Sequence, residues 1–528
     1  MTVASAERTH RRFAAGMRVA RLPVNAPLAA AGLLLGLLLG GCGQMPRFPA
    51  HPVQTDSQRL AFDLDHDGNE DYWQDVGRDG RKTTLHFDDD GDGRPDAAVR
   101  LDAPPPDDVL HVLIVLDGVP FEVIRDLYAE GRFRLFPPPS RLISVFPALT
   151  DLALARAFDA GPCLGYEALH YDISRNRLSN GNDVYLSGRN EPWTAGVDYR
   201  CSTNWDVLAY LDPSAVWRHE MDRFLHTIRA ADSGRVCLYT VATAGLGTRG
   251  GRQAIRQYLA TIDDLCEQIT HERRGQVRFT LFADHGHGLT ACKRVIFKPL
   301  LREAGFRVTD TIRQDSDVVI PAYGLVTSAV MHTLQPDKVA DAILQHEATD
   351  LVMYRRVRFT DQPLSWASQT NSDDPDAAFV VRSRDAEAHI RMFGGGVLYE
   401  PLTGDPLKLV PVLLRLATEG KTASKGPVAD RDWFEATVDH EYPDALYRIR
   451  CALEKGTLVE NPADLIVSLK EGYAFGSAFF SAICRVESTH GALSRGSSTT
   501  FIMSNAVPLP QNLRVDDVPG LLGLDAPD

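Results

Sequence analysis

The chain has 528 residues and a formal net charge of −14, with 70 acidic against 56 basic side chains. Hydrophobic residues make up 44% of the chain, a composition that excludes a disordered, collagen-like or coiled-coil protein. The acidic balance argues against binding nucleic acid by phosphate neutralisation, and we expect no nucleic-acid partner.

The first predicted element is an export signal. Several arginines between residues 11 and 21 precede an apolar run over residues 28–41. The run is shorter than the roughly 20 apolar residues that span a bilayer, and it fits the core of a signal peptide. Its last residues, Leu-Gly-Gly-Cys42, resemble the lipobox of bacterial lipoproteins, in which the cysteine is acylated. The resemblance implies lipidation of Cys42 and a lipid-anchored protein of the bacterial cell envelope, on the periplasmic face, the outer membrane or the surface.

Cysteine usage agrees with export. The chain has eight cysteines including Cys42, and none of them forms a CxxC metal pair. Exported proteins can form disulfides, and Cys163 and Cys201 both lie in polar, loop-like sequence. The sequence therefore predicts a bridge between Cys163 and Cys201, with at least one other thiol left free.

Two copies of an acidic repeat follow, at residues 63–71 and 88–96, and each reads Asp-x-Asp-x-Asp-Gly-x-x-Asp. Carboxylates at this spacing, with a glycine for the sharp turn, suit Ca²⁺. Position 12 of a complete EF-hand would be Glu, but Gln74 and Val99 stand there. The copies resemble the short calcium loops of thrombospondin-type or integrin-type repeats, which strands flank. The predicted calcium ligands are Asp63, Asp65, Asp67 and Asp71, and Asp88, Asp90, Asp92 and Asp96.

The calcium hypothesis has a structural consequence. Bound Ca²⁺ would stiffen residues 60–100 into a stalk between the lipid anchor and a catalytic body. The alternative is an acidic, solvated spacer without bound ions. A Pro-rich stretch then marks a domain boundary.

The main domain is predicted to have an α/β fold with a doubly wound, mostly parallel sheet. Residues 109–116 form an apolar run that stops at Asp117, and residues 277–283 form another that stops at Asp284-His285. Such runs are typical of strands that are buried on both faces. Open α/β sheets bind their ligands at the carboxyl ends of the strands, so these polar side chains are candidate site residues.

Four motifs in this order resemble the alkaline phosphatase superfamily, and more narrowly its type I phosphodiesterase/nucleotide pyrophosphatase branch. The first is the strand end Leu-Asp117-Gly. The second is Phe-Pro-Ala-Leu-Thr150, in which Thr150 stands at the nucleophile position. The third is Ala-Asp284-His285-Gly, and the fourth is Thr-His490-Gly.

The resemblance implies an alkaline-phosphatase-like α/β/α sandwich and a metal-dependent site. In it, Asp117, Thr150, Asp284 and His285 would hold one ion, and His490 would belong to a second. This donor set suits Zn²⁺. The charge of the ion would lower the pKa of the Thr150 hydroxyl, whose alkoxide attacks phosphorus. The expected product is a covalent phosphothreonine, which water then hydrolyses.

The second metal site departs from the family pattern. Ala244 and Thr248 stand where the branch has an aspartate and a histidine, so that only His490 remains of its usual protein ligands. One imidazole does not hold Zn²⁺ firmly, since zinc sites in proteins normally use three or four ligands.

Three interpretations follow from this departure. The enzyme works with one ion, and Arg249 or His287 replaces the missing charge. Alternatively, His287 and His170 rebuild the second site from new positions. In the third interpretation the domain has lost catalysis.

We therefore predict a metal-dependent hydrolase that acts on small-molecule phosphodiesters or phosphomonoesters. Its cofactors are Zn²⁺, one ion or two, and Ca²⁺ in the repeats. The alternative is a catalytically inactive, metal-binding surface lipoprotein of the same fold that serves recognition or structure. The predicted segments are a signal peptide (1–41), an anchor and linker with the repeats (42–107), the alkaline-phosphatase-like domain (108–505) with a cap insertion within 290–489, and an extended tail (506–528).

Overall fold

The computed structural model describes residues 44–49, 51–56, 58–103, 109–180, 191–356, 378–394, 396–422, 426–478 and 488–524. The predicted signal peptide and Cys42 lie outside the described residues. Among the residues described, no helix combines the length and the apolar character needed to cross a bilayer.

Strands and helices follow one another along most of the described chain. The strands, in chain order, are β1 (Gln54–Thr55), β2 (Arg59–Phe62), β3 (Tyr72–Val76), β4 (Lys82–Phe87), β5 (Ala97–Arg100), β6 (Leu110–Leu116), β7 (Ser140–Ile143), β8 (Leu169–Asp172), β9 (Arg177–Asn180), β10 (Arg235–Thr240), β11 (Val277–Ala283), β12 (Lys293–Arg294), β13 (Arg307–Val308), β14 (Asp317–Val319), β15 (Leu325–Val326), β16 (Ser328–Thr333), β17 (Thr349–Arg356), β18 (Ala378–Arg382), β19 (Glu387–Phe393), β20 (Gly396–Thr403), β21 (Val428–Ala429), β22 (Leu465–Leu469), β23 (Tyr473–Gly476), β24 (Thr499–Ser504) and β25 (Asn512–Arg514). The described α-helices are α1 (Phe121–Ala129), α2 (Thr150–Ala157), α3 (Thr203–Ala209), α4 (Pro213–Ala230), α5 (Ala242–Glu272), α6 (Lys298–Glu303), α7 (Pro336–Ile343), α8 (Val410–Thr418), α9 (Asp430–Thr437), α10 (Ala445–Leu453), α11 (Arg495–Ser498) and α12 (Val518–Leu522).

The first five strands form an antiparallel sheet in sequential order. Phe62, Tyr72 and Phe87 are buried in its core. The two acidic repeats are the loops of this sheet, because residues 63–71 connect β2 to β3 and residues 88–96 connect β4 to β5. The strands predicted to flank the loops are therefore present.

This N-terminal sheet packs against the carboxyl-terminal part of α5. The rings of Tyr72 and Phe87 lie 4.8 and 5.8 Å from the ring of His271, measured between centroids. Gln74 Nε2 donates a hydrogen bond of 2.9 Å to Glu267 Oε2, and the Lys82 ammonium pairs with the same carboxylate. The hypothesis of a stalk is therefore wrong, because the sheet buries its polar and aromatic side chains against the main body.

Lys82→Met is expected to lower the free energy of unfolding by about 3 kcal/mol, because it leaves the Glu267 carboxylate buried without its cation. The side chains of Lys82 and Glu267 are only 10% and 6% exposed. Adding Glu267→Gln should recover more than half of the loss in urea denaturation. Lys421→Met, which breaks the half-exposed pair with Asp432, serves as the control and should lower it by less than about 1 kcal/mol. An equally small loss for Lys82→Met would contradict the prediction.

A six-stranded sheet in the order β10-β6-β11-β24-β7-β25 forms the centre of the main body. β10 and β11 run parallel to β6, and β25 runs parallel to β7. β24 is antiparallel to both of its neighbours, β11 and β7. The sheet is thus mixed, with five strands in one direction and β24 in the other. The α/β class is confirmed, and the doubly wound arrangement stays a prediction.

A second, nine-stranded sheet has the order β13-β14-β16-β22-β17-β18-β19-β20-β21 and lies within the interval in which we predict the cap. Its core includes Met331, Val352 and Val467. It contacts the loop that carries His490, because the Thr327 backbone N–H donates to the His490 carbonyl oxygen at 2.6 Å. The prediction that this insertion covers the strand ends of the central sheet stays open.

The carboxyl-terminal segment corrects the predicted extended tail at residues 506–528. It adds β25 to the edge of the central sheet, with Leu513 opposite Leu142 of β7. Leu513, Val515 and Val518 are all buried. The apolar positions of this segment lie among prolines in the sequence, and the pairing of β25 with β7 and the burial of these side chains decide the structure.

The predicted bridge between Cys163 and Cys201 is also wrong, because both thiols are free and buried. Cys163 Sγ donates to the Asp151 carbonyl oxygen at 3.6 Å, and Cys201 Sγ donates to Asp206 Oδ1 at 3.2 Å. Each thiol therefore has a polar partner of its own.

Candidate metal centre

Four segments meet at one edge of the central sheet. The register aligns the last residues of β10, β6 and β11, namely Thr240, Leu116 and Ala283. Ile143, the last residue of β7, lies opposite Thr499, the first residue of β24, because these two strands are antiparallel. The residues that follow β6, β7 and β11, and those that precede β24, consequently lie at the same edge.

This edge carries Asp117, Asp284 and His285, which are buried with exposed fractions of 4%, 0% and 0%. One ligand atom from each lies within 4.8 Å of the others. Thr150, the first residue of α2, places Oγ1 3.2 Å from His285 Nε2 and 3.5 Å from Asp117 Oδ1. The structure thus brings together the four residues predicted to hold the first ion.

Both carboxylates are oriented by neighbours. Asp284 Oδ1 accepts hydrogen bonds from the backbone N–H groups of Gly118 and His285, at 2.9 and 2.8 Å. Asp117 Oδ2 accepts one from the Tyr239 hydroxyl at 2.8 Å. Asp284 Oδ2 is buried and has no hydrogen-bond partner among the described residues. An unpartnered buried oxygen that faces a second carboxylate and an imidazole is what a cation site requires.

The imidazole of His285 is fixed in the tautomer that a metal ligand needs. Its Nδ1 lies 2.7 Å from the Gly286 carbonyl oxygen, so Nδ1 carries the proton and donates. Nε2 keeps its lone pair and faces the carboxylates of Asp117 and Asp284, at 3.5 and 3.4 Å. The ring packs closely on Gly118, where a Cβ atom would lie 3.2 Å from His285 Cε1.

The two buried carboxylates of the cluster are unfavourable unless a positive charge lies beside them. Burial, together with repulsion from Asp284, holds the pKa of Asp117 well above its ordinary value, and burial raises the pKa of Asp284 to about 7. Burial also lowers the pKa of His285 to about 4, so this ring is neutral and supplies no charge. Two adjacent buried carboxylates are unfavourable unless a cation compensates them. The donor set of two carboxylates, one imidazole nitrogen and one hydroxyl fits a divalent ion such as Zn²⁺.

His490 lies beside this cluster. Its ring stacks on that of His285 at 3.9 Å between centroids, with 18° between the planes. Its Nδ1 donates to the Ala148 carbonyl oxygen at 2.7 Å, which leaves the lone pair on Nε2. Burial and the neighbouring His285 hold the pKa of His490 well below its ordinary value. The structure thus places His490 beside the predicted first-ion cluster, and its role as a metal ligand stays a prediction.

Ala244 and Thr248 lie one turn apart on the same face of α5, ahead of the break at Gly251, whose φ is 60°. Both are buried. Thr248 Oγ1 is 3.4 Å from His287 Nε2, and the His287 ring lies 6.1 Å from the ring of His490. The helix face that carries Thr248 therefore contacts His287, whose ring neighbours that of His490.

His287 is a hydrogen-bond donor toward this face. Burial holds its pKa well below the ordinary value, so the ring is neutral. Its Nδ1 accepts from the Leu289 backbone N–H at 3.2 Å, so the proton lies on Nε2, which faces Thr248. A nitrogen that carries a proton is not a metal ligand, which argues against a second site rebuilt on His287.

The other two auxiliary candidates lie elsewhere. Arg249 is exposed, and its Nη1 donates to the Tyr210 carbonyl oxygen at 3.2 Å. His170 lies on β8, in a separate hairpin with β9. Of Arg249, His170 and His287, only His287 has a described contact with the Thr248 side chain.

Sequence reasoning missed the residues next to Thr150, the candidate nucleophile. Asp151, which follows Thr150, is partly buried in the structure, and its Oδ1 accepts from Trp193 Nε1 at 3.0 Å. Trp193 in turn packs on Tyr239 at 5.3 Å between ring centroids. No local sequence pattern points to Trp193.

The acidic repeats bring together three of the four predicted carboxylates in each loop. These groups are Asp63, Asp65 and Asp71, and Asp88, Asp90 and Asp96. Asp67 and Asp92 instead accept hydrogen bonds from the backbone N–H groups of Asn69 and Arg94, at 2.7 and 2.9 Å. Gln74, at position 12 of the first loop, is buried against Glu267 and is no ligand. Calcium binding stays a prediction, since solvated acidic loops also occur without a cation.

Comparisons with known proteins give little beyond this geometry. No protein-family model and no curated protein matches the chain. A solved structure of phosphonoacetate hydrolase from Sinorhizobium meliloti 1021, in complex with phosphonoacetate, is similar with a TM-score of 0.36 and 12% identity. The similarity covers 84% of this chain and 97% of that chain. A similarity this weak carries no argument about activity, so a functional conclusion must rest on the site.

Proposed function

We propose that this protein hydrolyses phosphate esters through Thr150, beside one divalent metal ion. The observation that carries the proposal is the buried Asp284 Oδ2, which lacks a hydrogen-bond partner among the described residues. It faces His285 Nε2 at 3.4 Å, and Thr150 Oγ1 lies 3.2 Å from the same nitrogen. A cation held there would contact the nucleophilic hydroxyl directly.

Asp117, Asp284 and His285 would hold the ion, with Thr150 Oγ1 as a further ligand. A bound zinc ion lowers the pKa of an adjacent hydroxyl and neutralises charge on a phosphate oxygen. The Thr150 hydroxyl proton would pass to the oxygen of the leaving alcohol as the bond from Oγ1 to phosphorus forms and the bond to that alcohol breaks. Water then cleaves the phosphothreonine and restores the hydroxyl. Thr150 opens α2, and no side chain caps its first turn, so the positive end of the helix faces the phosphate.

The part of the site formed by Thr248 and His287 favours phosphodiesters over phosphomonoesters. Thr248 and His287 are both neutral, and His287 Nε2 donates toward Thr248 Oγ1 at 3.4 Å. The Thr248 hydroxyl proton is thereby left to donate to a phosphate oxygen. A site with one dication and neutral donors carries less positive charge than a two-metal site, so it suits the single charge of a diester better than the double charge of a monoester.

We also propose that the protein is lipid-anchored and that it binds Ca²⁺. The lipobox-like sequence at Cys42 supports a lipid anchor in the bacterial cell envelope. The clustered carboxylates of the two acidic loops support Ca²⁺ there. The competing function is a metal-binding domain without catalysis, and Ala244 and Thr248 at the second site favour it.

The test uses residues 43–528, which form one compact unit. We expect one zinc per chain, and turnover of bis-p-nitrophenyl phosphate that exceeds turnover of p-nitrophenyl phosphate. Thr150→Ala should lower kcat by at least about 1,000-fold, since it removes the nucleophile, whereas Thr150→Ser keeps a hydroxyl and should retain measurable turnover. One zinc without turnover on a panel of diesters and monoesters would support the inactive alternative. Turnover that survives Thr150→Ala would refute the assigned nucleophile.

A further inference from the structure

A buried arginine lies behind the candidate site. Arg448, on α10, is 2% exposed. Its Nη1 donates to the carbonyl oxygens of Pro443 and Leu493, and its Nη2 donates to that of Val145, each at 3.0 Å. Its Nε has no hydrogen-bond partner among the described residues. The guanidinium thus makes its hydrogen bonds to backbone carbonyl groups alone.

Two of these carbonyl groups belong to the loops that carry the site. Val145 lies in residues 144–149, the segment between β7 and Thr150. Leu493 lies three residues after His490. One guanidinium therefore connects the loop of the nucleophile to the loop of His490. The bond from His490 Nδ1 to the Ala148 carbonyl oxygen is the second connection between the same loops.

The guanidinium supplies donors to three backbone carbonyl oxygens and forms no ion pair of its own among the described residues. The nearby Asp444 carboxylate is already bound by both arms of Arg514, at 2.7 and 2.9 Å. Burial lowers the pKa of Arg448 to about 9, so the side chain stays charged at neutral pH. An apolar side chain at this position would leave the three carbonyl oxygens without their donor. Charge-assisted bonds to carbonyl oxygens, in contrast, fix two backbone segments in a defined geometry.

We propose that Arg448 is a positioning residue for the hydrolysis, which holds the Thr150 loop and the His490 loop at their working separation. The inference rests on the proposed function, since it concerns the same site. Arg448 donates no hydrogen bond to the predicted metal ligands among the described residues. It acts through the Val145 and Leu493 carbonyl groups, which lie five residues before Thr150 and three residues after His490.

The test compares Arg448→Met and Arg448→Lys with the wild-type protein on bis-p-nitrophenyl phosphate. Arg448→Met should lower kcat by about 100-fold, because small misplacements of reacting groups have effects of this size. KM should change by less than about threefold, and zinc content should stay at one per chain, because the guanidinium contacts no metal ligand. Arg448→Lys keeps the charge and one or two of the three bonds, so its kcat should lie between those of Arg448→Met and the wild-type protein.

Arg514→Met is the matched control. It breaks a buried ion pair with Asp444 at the start of the same helix, and Arg514 donates to neither loop carbonyl. We expect it to lower the melting temperature at least as much as Arg448→Met, with kcat within about twofold of wild type, since loss of one partner of a buried pair destabilises the fold without moving the site. An equal loss of kcat in both variants would reduce Arg448 to a structural role and overturn the inference.

Chemical rescue keeps the inference falsifiable if Arg448→Met fails to fold. Arg448→Ala leaves a cavity lined by the three carbonyl groups, and added guanidinium ion should restore part of kcat, whereas urea should not. A variant that guanidinium does not rescue, or one with wild-type kcat, would overturn the proposal. A wild-type protein without turnover would instead refute the proposed function.

Discussion

Asp284→Asn is expected to strip zinc from the purified protein and to abolish turnover. The substitution removes the carboxylate oxygen of the cluster that is buried without a partner among the described residues, and it directs an amide toward His285 Nε2 instead. Removing a group that only supports a metal ligand lowers metal affinity by about 10- to 100-fold, so loss of a ligand should exceed about 100-fold. Zinc per chain after dialysis, and a chelator competition titration, measure the effect.

The same substitution should stabilise the metal-free protein at neutral and alkaline pH. Burial raises the pKa of Asp284 to about 7, far above its ordinary value of 3.8, so the folded state favours the protonated form. This contribution to stability is present below about pH 4, and it is lost as the pH rises through about 7. In the presence of chelator, urea denaturation at pH 8 should show Asp284→Asn to be more stable than wild type by a few kcal/mol, with little difference at pH 4.

Asp263→Asn is the matched control for both measurements. Asp263 is also buried, burial raises its pKa to about 7, and it accepts a hydrogen bond from the Phe133 backbone N–H at 3.0 Å. It lies on α5 away from the metal ligands, so zinc content and turnover should be unchanged. Should Asp284→Asn keep its zinc, or be less stable than wild type at pH 8 without metal, the assignment of this carboxylate as a metal ligand would be refuted.

Part of the site could be predicted because strand direction places it. Asp117 and Asp284 each follow a strand that is apolar throughout, and parallel neighbours bring such positions to one edge of a sheet. The positions of Thr150 and His490 came only from the family resemblance, since neither follows from periodicity. β24 is antiparallel to β11, and that is why a residue that precedes a strand, His490, reaches the same edge.

The remaining features depend on contacts that no local pattern encodes. Arg448 and Val145 are 303 positions apart in the sequence, and Gln74 and Glu267 are 193 apart. From the sequence alone, a buried arginine cannot be distinguished from an ordinary residue of an amphipathic helix, because its carbonyl partners are not known. The acidic repeats are loops between strands, as predicted. No sequence pattern marks the face of the sheet that packs on α5.

Ala244→Asp combined with Thr248→His is expected to raise the zinc count from one to two per chain. The two positions lie one turn apart on a buried face of α5, with Thr248 3.4 Å from His287 and the His287 ring 6.1 Å from that of His490. A carboxylate and an imidazole added there join His490 Nε2, whose lone pair is left by the bond from Nδ1 to Ala148. Three protein ligands are the usual number for a catalytic zinc site. Turnover of p-nitrophenyl phosphate should rise at least about tenfold, because a second ion balances the extra charge of a monoester.

Each single substitution separates the binding of a second ion from a change in packing. Ala244→Asp alone adds an unpaired buried carboxylate, and Thr248→His alone leaves two imidazoles without an anion, so neither should hold a second ion through dialysis. Ala244→Asn with Thr248→Gln matches the volume of the pair without its charge and should leave the count at one. If the double variant folds and still binds a single zinc, the helix face at residues 244 and 248 is not the remnant of a second site. The preference for diesters would then need a cause other than the missing ion.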